Sequence, residues 1–115
     1  MRARAMAVSE EYLVYVLDQL EPLGPVQSRR MFGGVGIYLH GEMFGLVADD
    51  VLYLKVDDSS RSDFEAAGME PFRPFPDKGT VMSYYEVPGD VLESRDELTA
   101  WAQKALRAAG RKHKK

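Results

Sequence analysis

Apolar residues recur at helical spacing near the start of the chain. Between residues 9 and 21 they fall on one face of a helix, at Leu13, Val16, Leu17 and Leu20. Ser9 is a residue type that often caps helix N-termini. The prolines and glycine of residues 22–25 cannot continue a helix. The pattern therefore predicts a first helix over residues 9–21.

A second helical pattern lies near the other end. Ser94 and Glu97 have the spacing of a capping box, in which side chains and backbone amides hydrogen-bond reciprocally. The apolar face that follows comprises Leu98, Trp101, Ala102, Ala105 and Leu106. Gly110 is expected to end this helix, because glycine is the commonest residue just past a helix C-terminus.

Between these helices the pattern is that of strands joined by short turns. The predicted strands cover residues 37–39, with a start as early as Arg30, then 43–48 and 51–56. His40-Gly41 and Asp49-Asp50 are the expected turns. Short turns between consecutive strands predict an antiparallel meander.

The next segment is expected to be a short helix over residues 60–67, ending at Gly68. A short edge strand is predicted at residues 72–75, where flanking prolines exclude a central strand. Residues 80–87 are rich in β-branched and aromatic side chains and predict a further strand.

The predicted order is α-β-β-β-α-β-β-α. Helices and antiparallel strands without regular βαβ alternation indicate an α+β fold, with one five-stranded antiparallel sheet and helices packed on one face. With 115 residues, the chain has the length of one domain. We expect that domain to span residues 1–110, followed by a disordered basic tail at 111–115.

Composition removes several kinds of chemistry. The chain has 0 cysteines, which excludes disulfides, thiolate metal sites and cysteine nucleophiles. It has no apolar run near the roughly 20 residues that a membrane helix needs. Acidic residues interrupt the N-terminal apolar stretch that a signal peptide would require. We expect no membrane partner and a cytoplasmic location.

The formal charge of −3 conceals an uneven distribution. Residues 1–106 carry −8, because five of the fifteen basic residues lie in the last nine positions and no acid does. Those basic residues are Arg107, Arg111, Lys112, Lys114 and Lys115. An acidic body repels phosphate backbones, so any contact with nucleic acid is expected from this tail.

Other motifs favour structural roles. Gly33, Gly34 and Gly36 precede a strand and lack the Lys-Ser or Lys-Thr of a phosphate-binding loop, which favours a bulge or tight turn. His40 has no neighbouring ligands of the kind that zinc requires. The pairs Asp49-Asp50 and Asp57-Asp58 fall at strand ends, where aspartate commonly forms turns and caps. We expect no catalytic residue, metal or cofactor.

Five blocks resemble a known family in order and spacing. Residues 30–45 read RMFGGVGIYLHGEMFG and residues 49–57 read DDVLYLKVD. FEAAGMEPF at 64–72, MSYYEVP at 82–88 and LTAWAQKAL at 98–106 complete the set. Over residues 9–109 the chain resembles the N-terminal domain of the TfoX/Sxy family of bacterial competence regulators.

This resemblance implies a fold akin to that of secretion chaperones, a transcription-related protein partner and no catalytic residues. We expect a stand-alone domain, without the helical C-terminal domain of the full-length regulators. The polar and aromatic residues within the blocks are the predicted interaction surface: Arg30, Lys55, Arg61, Lys78, Tyr84, Tyr85 and Glu86. Tyr84 and Tyr85 are expected on opposite faces of a strand, one in the core and one on the surface.

The leading hypothesis is thus a non-enzymatic regulatory module that binds a protein, through a sheet edge or one face of the meander. A second copy of the chain is a further candidate partner. The alternatives are a weak nucleic-acid binder through the basic tail and a small-ligand-binding domain.

Overall fold

A computed structural model describes residues 8–31, 34–72 and 83–111. The helices in these ranges are α1 (Glu10–Gln19), α2 (Asp58–Ala66), α3 (Gly89–Glu93) and α4 (Arg95–Arg111), with a 3₁₀ turn at Glu21–Leu23. The strands are β1 (Gln27–Met31), β2 (Gly34–Leu39), β3 (Glu42–Ala48), β4 (Val51–Lys55) and β5 (Tyr84–Glu86).

The five strands form one antiparallel sheet in the order β1-β2-β3-β4-β5. Both predicted turns are confirmed, and each is a two-residue hairpin loop with positive φ at both positions. The φ angles are 52° at His40 and 82° at Gly41, then 55° at Asp49 and 56° at Asp50. This left-handed geometry matches the twist of the strands it joins. The predicted α+β class and antiparallel five-stranded sheet are confirmed.

The order of elements differs from the prediction. The segment expected to be one strand beginning near Arg30 forms two, β1 and β2, so four strands precede α2 instead of three. The sequence signal for β1 was weak because residues 27–30 are all polar. Tertiary pairing with β2 overrides this low strand propensity.

The edge of the sheet beside β5 also differs from the prediction. Residues 70–72 lie along β5: Pro71 bridges to Tyr85, and the Phe72 N–H donates to the Tyr84 carbonyl at 2.7 Å. Residues 73–75 of the predicted edge strand and residues 80–82 of the next lie outside the described ranges. The strand predicted over 80–87 is confirmed at Tyr84–Glu86.

All four helices pack on one face of the sheet, as predicted. Each contributes to a single core, with Val16 from α1, Phe64 from α2, Val91 from α3 and Leu98 from α4. Their sheet partners are Val35, Ile37, Leu39, Phe44, Val47, Leu52, Leu54 and Tyr85. We call this the helix-covered face, and the opposite side of the sheet the second face.

Local capping explains where the helices begin. The Ser9 hydroxyl accepts the Tyr12 N–H at 3.1 Å, as predicted. The Ser94 hydroxyl accepts the Glu97 N–H at 3.2 Å, which is the Ser94 half of the predicted capping box. Helix α2 begins at Asp58, two residues earlier than predicted, because Asp57 forms a capping box with Ser60.

Two helix predictions need correction. The short helix α3 was not predicted, since it begins at Gly89, within the Pro88-Gly89 pair that indicated a break. Helix α4 continues through Gly110 to Arg111. A glycine inside a helix costs only about 1 kcal/mol, and the buried Ala108 and Ala109 hold this last turn against the protein.

Within the described ranges, no helix combines the length and apolar character needed to cross a membrane.

Candidate functional site

The residues predicted as an interaction surface do not form one patch. Lys55, Tyr84 and Glu86 lie on the second face, whereas Arg61 and Tyr85 lie on the helix-covered side. Arg30 lies on β1, at the opposite edge of the sheet from β5. Lys78 falls outside the described residues. The predicted interaction surface therefore combines residues from three separate places on the domain.

On the second face, Lys55 and Tyr84 are direct cross-strand partners between β4 and β5. The Lys55 ammonium lies 5.3 Å from the centroid of the Tyr84 ring, within the range of a cation–π contact. Both side chains are buried, and burial raises the pKa of Tyr84 to about 12. This pair is a packed element of the sheet and offers little surface to a partner.

Glu86 belongs to the same face and pairs with Tyr53 across the strands. Burial, and then the nearby Glu86 and Asp49 carboxylates, raise the pKa of the Tyr53 phenol. The Tyr53 ring also packs against Phe72, with centroids 4.9 Å apart. Glu86 is half-buried among these aromatic residues.

Tyr85 and Arg61 have structural contacts on the helix-covered side. The Tyr85 ring packs against Phe64 in the core, and its hydroxyl donates to the Glu65 carboxylate at 3.0 Å. The Arg61 guanidinium bonds to Asp58 at 3.0 Å, which raises its pKa. Tyr84 and Tyr85 point to opposite faces as expected, but both are buried. The prediction that one would lie on the surface is wrong, because the second face has its own apolar cluster.

Arg30 belongs to the most accessible part of the sheet. All four residues 27–30 are exposed, and β2 is the only strand paired with β1 in the described chain. In an antiparallel ladder every second residue of an edge strand directs its N–H and C=O away from its neighbour. We call residues 27–30 the β1 edge. Neither Arg29 nor Arg30 forms an ion pair with a carboxylate of the described residues.

A depression of about 420 Å³ adjoins the β1 edge and opens to solvent. Its lining residues are Gln27, Ser28, Arg29, Tyr38 and Gly41. The guanidinium carbon of Arg29 lies 5.1 Å from the centroid of the Tyr38 ring, a contact that steadies the guanidinium while leaving it exposed. Guanidinium and amide donors at the mouth of a depression suit an anionic group such as a carboxylate.

The sequence interpretation missed Arg29, Gln27 and Tyr38. The one available signal was the pair Arg29-Arg30, two adjacent cations in a body of formal charge −8. This pair alone did not predict a binding site, because the sequence pattern indicates no strand over residues 27–29.

The basic residues at the C-terminus are only partly described. Arg107 is exposed on α4, and Arg111 is the last residue of that helix. Lys112, Lys114 and Lys115 lie outside the described ranges. Positions 107 and 111 are one helical turn apart, so this part of α4 is basic at two successive turns.

The acidic pairs serve as caps and turns. The Asp50 carboxylate accepts the Ser9 N–H at 2.8 Å, which ties α1 to the β3–β4 turn. Asp57 caps α2, and Asp58 bonds to Arg61. In the ranges 8–31, 34–72 and 83–111, no group of three histidine or acidic side chains is placed to hold a metal ion.

The fold and this edge define a class: a small α+β domain whose antiparallel sheet has helices on one face and a polar edge strand. The chain belongs to the TfoX N-terminal domain family, because residues 18–109 match the sequence pattern of that family. The family resemblance drawn from the sequence blocks is thereby confirmed.

Two relatives show how far the similarity extends. The chain is 39% identical over 54 residues to the DNA transformation protein TfoX1 of Aliivibrio fischeri, a match that covers 47% of this chain and 26% of TfoX1. It is 33% identical over 88 residues to an uncharacterized 12.7 kDa protein in the trpE 5′ region of Spirochaeta aurantia, covering 76% of this chain and 71% of that protein. The chain therefore spans much less than two thirds of TfoX1 and most of the second relative.

Proposed function

We propose that this chain is a regulatory module that acts by binding another protein in a competence-related pathway, and not by catalysis. Membership of the TfoX N-terminal domain family supports a regulatory role. The similarity to a DNA transformation protein supports the link to competence. A cytoplasmic location belongs to the same proposal, since a chain with 0 cysteines requires no oxidising compartment.

The observation that carries the protein-binding role is the β1 edge. It offers exposed backbone hydrogen-bonding groups and two arginines that lack ion-pair partners among the described residues. Edge strands are common docking sites for partner proteins, because an added strand satisfies these backbone groups. By contrast, the buried Lys55–Tyr84 pair and the core residue Tyr85 serve the fold itself.

Affinity capture tests the role. The tagged chain is recovered from extract of its native cells, with and without nuclease, and bound proteins are quantified by mass spectrometry. We expect one discrete partner that survives nuclease treatment and is lost from the charge-reversed R29E/R30E variant. Transcript profiles of a strain without the gene should change, and the wild-type chain should restore them. Recovery only in untreated extract, or an unchanged profile, would contradict the proposal.

A nucleic-acid role through the C-terminal residues is the second candidate. It is favoured by the exposed Arg107 and by the absence of acidic residues from positions 107–115. Phosphate contacts release counterions, so this binding should weaken steeply as salt rises. Replacement of the five basic residues of positions 107–115 by alanine keeps the buried Ala108 and Ala109 and should abolish the salt-dependent binding of labelled DNA. Binding that survives this replacement would exclude the tail as the site.

A further inference from the structure

We infer that the β1 edge binds an acidic extended segment of the partner protein, which adds to the sheet as a sixth strand beside β1. This inference rests on the proposed protein-binding function and names the chemistry of the partner. Three features of the described residues carry it: the backbone of β1, the two arginines and the depression beside Tyr38.

The backbone of β1 provides a template for strand addition. The strand has five residues, a length of about 17 Å, and it pairs with β2 in unbroken register from Gln27 to Met31. It contains no proline and no bulge, either of which would block an incoming strand. At the other edge of the sheet, residues 70–72 already occupy the outer side of β5. Strand addition is therefore directed to β1.

The arginines specify the charge of the incoming segment. Neighbouring residues of a strand point to opposite faces, so Arg29 projects on the second face and Arg30 on the helix-covered side. An added strand places successive side chains beside successive β1 residues. Two adjacent acidic residues in the partner would thus meet both guanidiniums, one on each face. Charge-assisted contacts of this kind fix the register of the added strand.

The depression favours a carboxylate on the Arg29 side. Arg29 and Gln27 lie on the same face of β1 and line it together with Tyr38. The guanidinium already stacks near the Tyr38 ring, so binding requires little further ordering of the arginine. A Glu or Asp side chain opposite Arg29 would enter the depression and accept hydrogen bonds from these donors.

Charge also argues against a second copy of this chain, or a nucleic acid, as the partner of the β1 edge. In a second copy of this chain, two-fold pairing centred on Arg29 or Arg30 sets guanidinium against guanidinium, and like charges directly opposite are destabilising. Nucleic acid would approach a body of formal charge −8 across residues 1–106. An acidic strand contacts only the region around Arg29 and Arg30, where the two guanidiniums attract its carboxylates.

Selection of peptides tests the inference directly. A phage library of random 12-residue peptides is selected on the full chain and counter-selected on R29E/R30E. We expect enriched peptides with two adjacent acidic residues inside a run of β-branched residues. Their affinity should fall at least tenfold in R29E/R30E. The matched variant K104E/R107E reaches the same net charge of −7 from changes on α4 and should bind as the wild type does. No enrichment, no acidic preference, or equal losses in both variants would overturn the inference.

Backbone methylation of the selected peptide separates strand addition from simple charge attraction and needs no protein variant. Methyl groups on one alternating set of peptide nitrogens should abolish binding, whereas the same groups on the other set should leave it unchanged. Equal effects of both sets would overturn strand addition.

Affinity capture of the natural partner distinguishes failure of this inference from failure of the proposed protein-binding function. A nuclease-resistant partner that R29E/R30E still binds refutes only the β1 edge as its site. Failure to capture any protein refutes the proposed function itself.

Discussion

Arg30 and Val35 are direct partners across β1 and β2, yet Val35 is 0% exposed and Arg30 lies in solvent. The sheet therefore passes from core to solvent within one strand spacing. A β-branched residue at position 30 would extend the apolar face, whereas arginine ends it. The outer backbone groups of β1, which have no strand partner among the described residues, lie beside Arg29 and Arg30. This coincidence is the basis of the function proposed for the β1 edge.

The arginines should keep β1 from pairing with a second copy of itself. We expect the R29V/R30V variant to self-associate, because its edge strand is more apolar and lacks like-charge repulsion between two copies. Sedimentation velocity across a concentration series measures this. The K104V/R107V variant loses the same charge from α4 and should sediment as the wild type does. Equal sedimentation of R29V/R30V and the wild type would contradict a protective role for the arginines.

The Lys55–Tyr84 contact should contribute to stability. In a double-mutant cycle of Lys55→Met and Tyr84→Leu, measured by urea unfolding, we expect a coupling energy of about 0.5–2 kcal/mol, because the cation–π pair is buried. Lys55→Met keeps the aliphatic part of the side chain, so the cycle isolates the charge. A coupling energy within error of zero would show that the two side chains only pack side by side.

Stability should fall in alkaline solution. Burial raises the pKa of Tyr12 and of Tyr84 from 10.0 to about 12. Between these values the folded state holds phenol protons that the unfolded state has released, so the free energy of unfolding decreases as pH rises through this window. The full contribution is present below pH 10.

The measurement is urea unfolding of the wild type, Tyr84→Phe and Tyr12→Phe/Tyr84→Phe at pH 9.5 and pH 11. The loss of stability between these pH values should be smaller in Tyr84→Phe and smallest in the double variant. Three equal losses would mean that neither buried phenol contributes to the alkaline transition.

Two glycines should respond in opposite directions to alanine. A Cβ at Gly34 would lie 2.8 Å from the Val47 carbonyl oxygen, so Gly34→Ala must push β2 and β3 apart. We expect a loss of about 1–3 kcal/mol. Gly89, the first residue of α3, has nothing within 4 Å of its Cβ position, and Gly89→Ala should stabilise the protein by about 0.4–1 kcal/mol. Thermal unfolding compares them, and similar effects of the two substitutions would contradict the close approach at Gly34.

Much of the fold follows from local chemistry. The pairs His40-Gly41 and Asp49-Asp50 tolerate the left-handed backbone of a tight hairpin, so the β2–β3–β4 meander was predictable. Ser94 predicted the start of α4 because its hydroxyl caps the helix. β1 was not predictable in the same way, since its polar residues join the sheet only through pairing with β2.

The candidate site was harder to predict for the same reason. Lys55 and Tyr84 suggested a surface patch, but a second apolar cluster around Leu46 and Phe72 buries that face. Arg29 became a candidate only when the register placed it near Tyr38, beside a depression. The alternation of side chains along β5 placed Tyr84 and Tyr85 on opposite faces, but it did not show that both faces of the sheet are covered.

Site-specific photo-crosslinking in native cells tests the central claim most directly. A photoreactive amino acid replaces Ser28 on the β1 edge or, as the control, the exposed Gln103 on α4. We predict one nuclease-resistant protein adduct from position 28 and none from position 103. Adducts from position 103 alone, or adducts at both positions that nuclease removes, would contradict binding of a protein at the β1 edge.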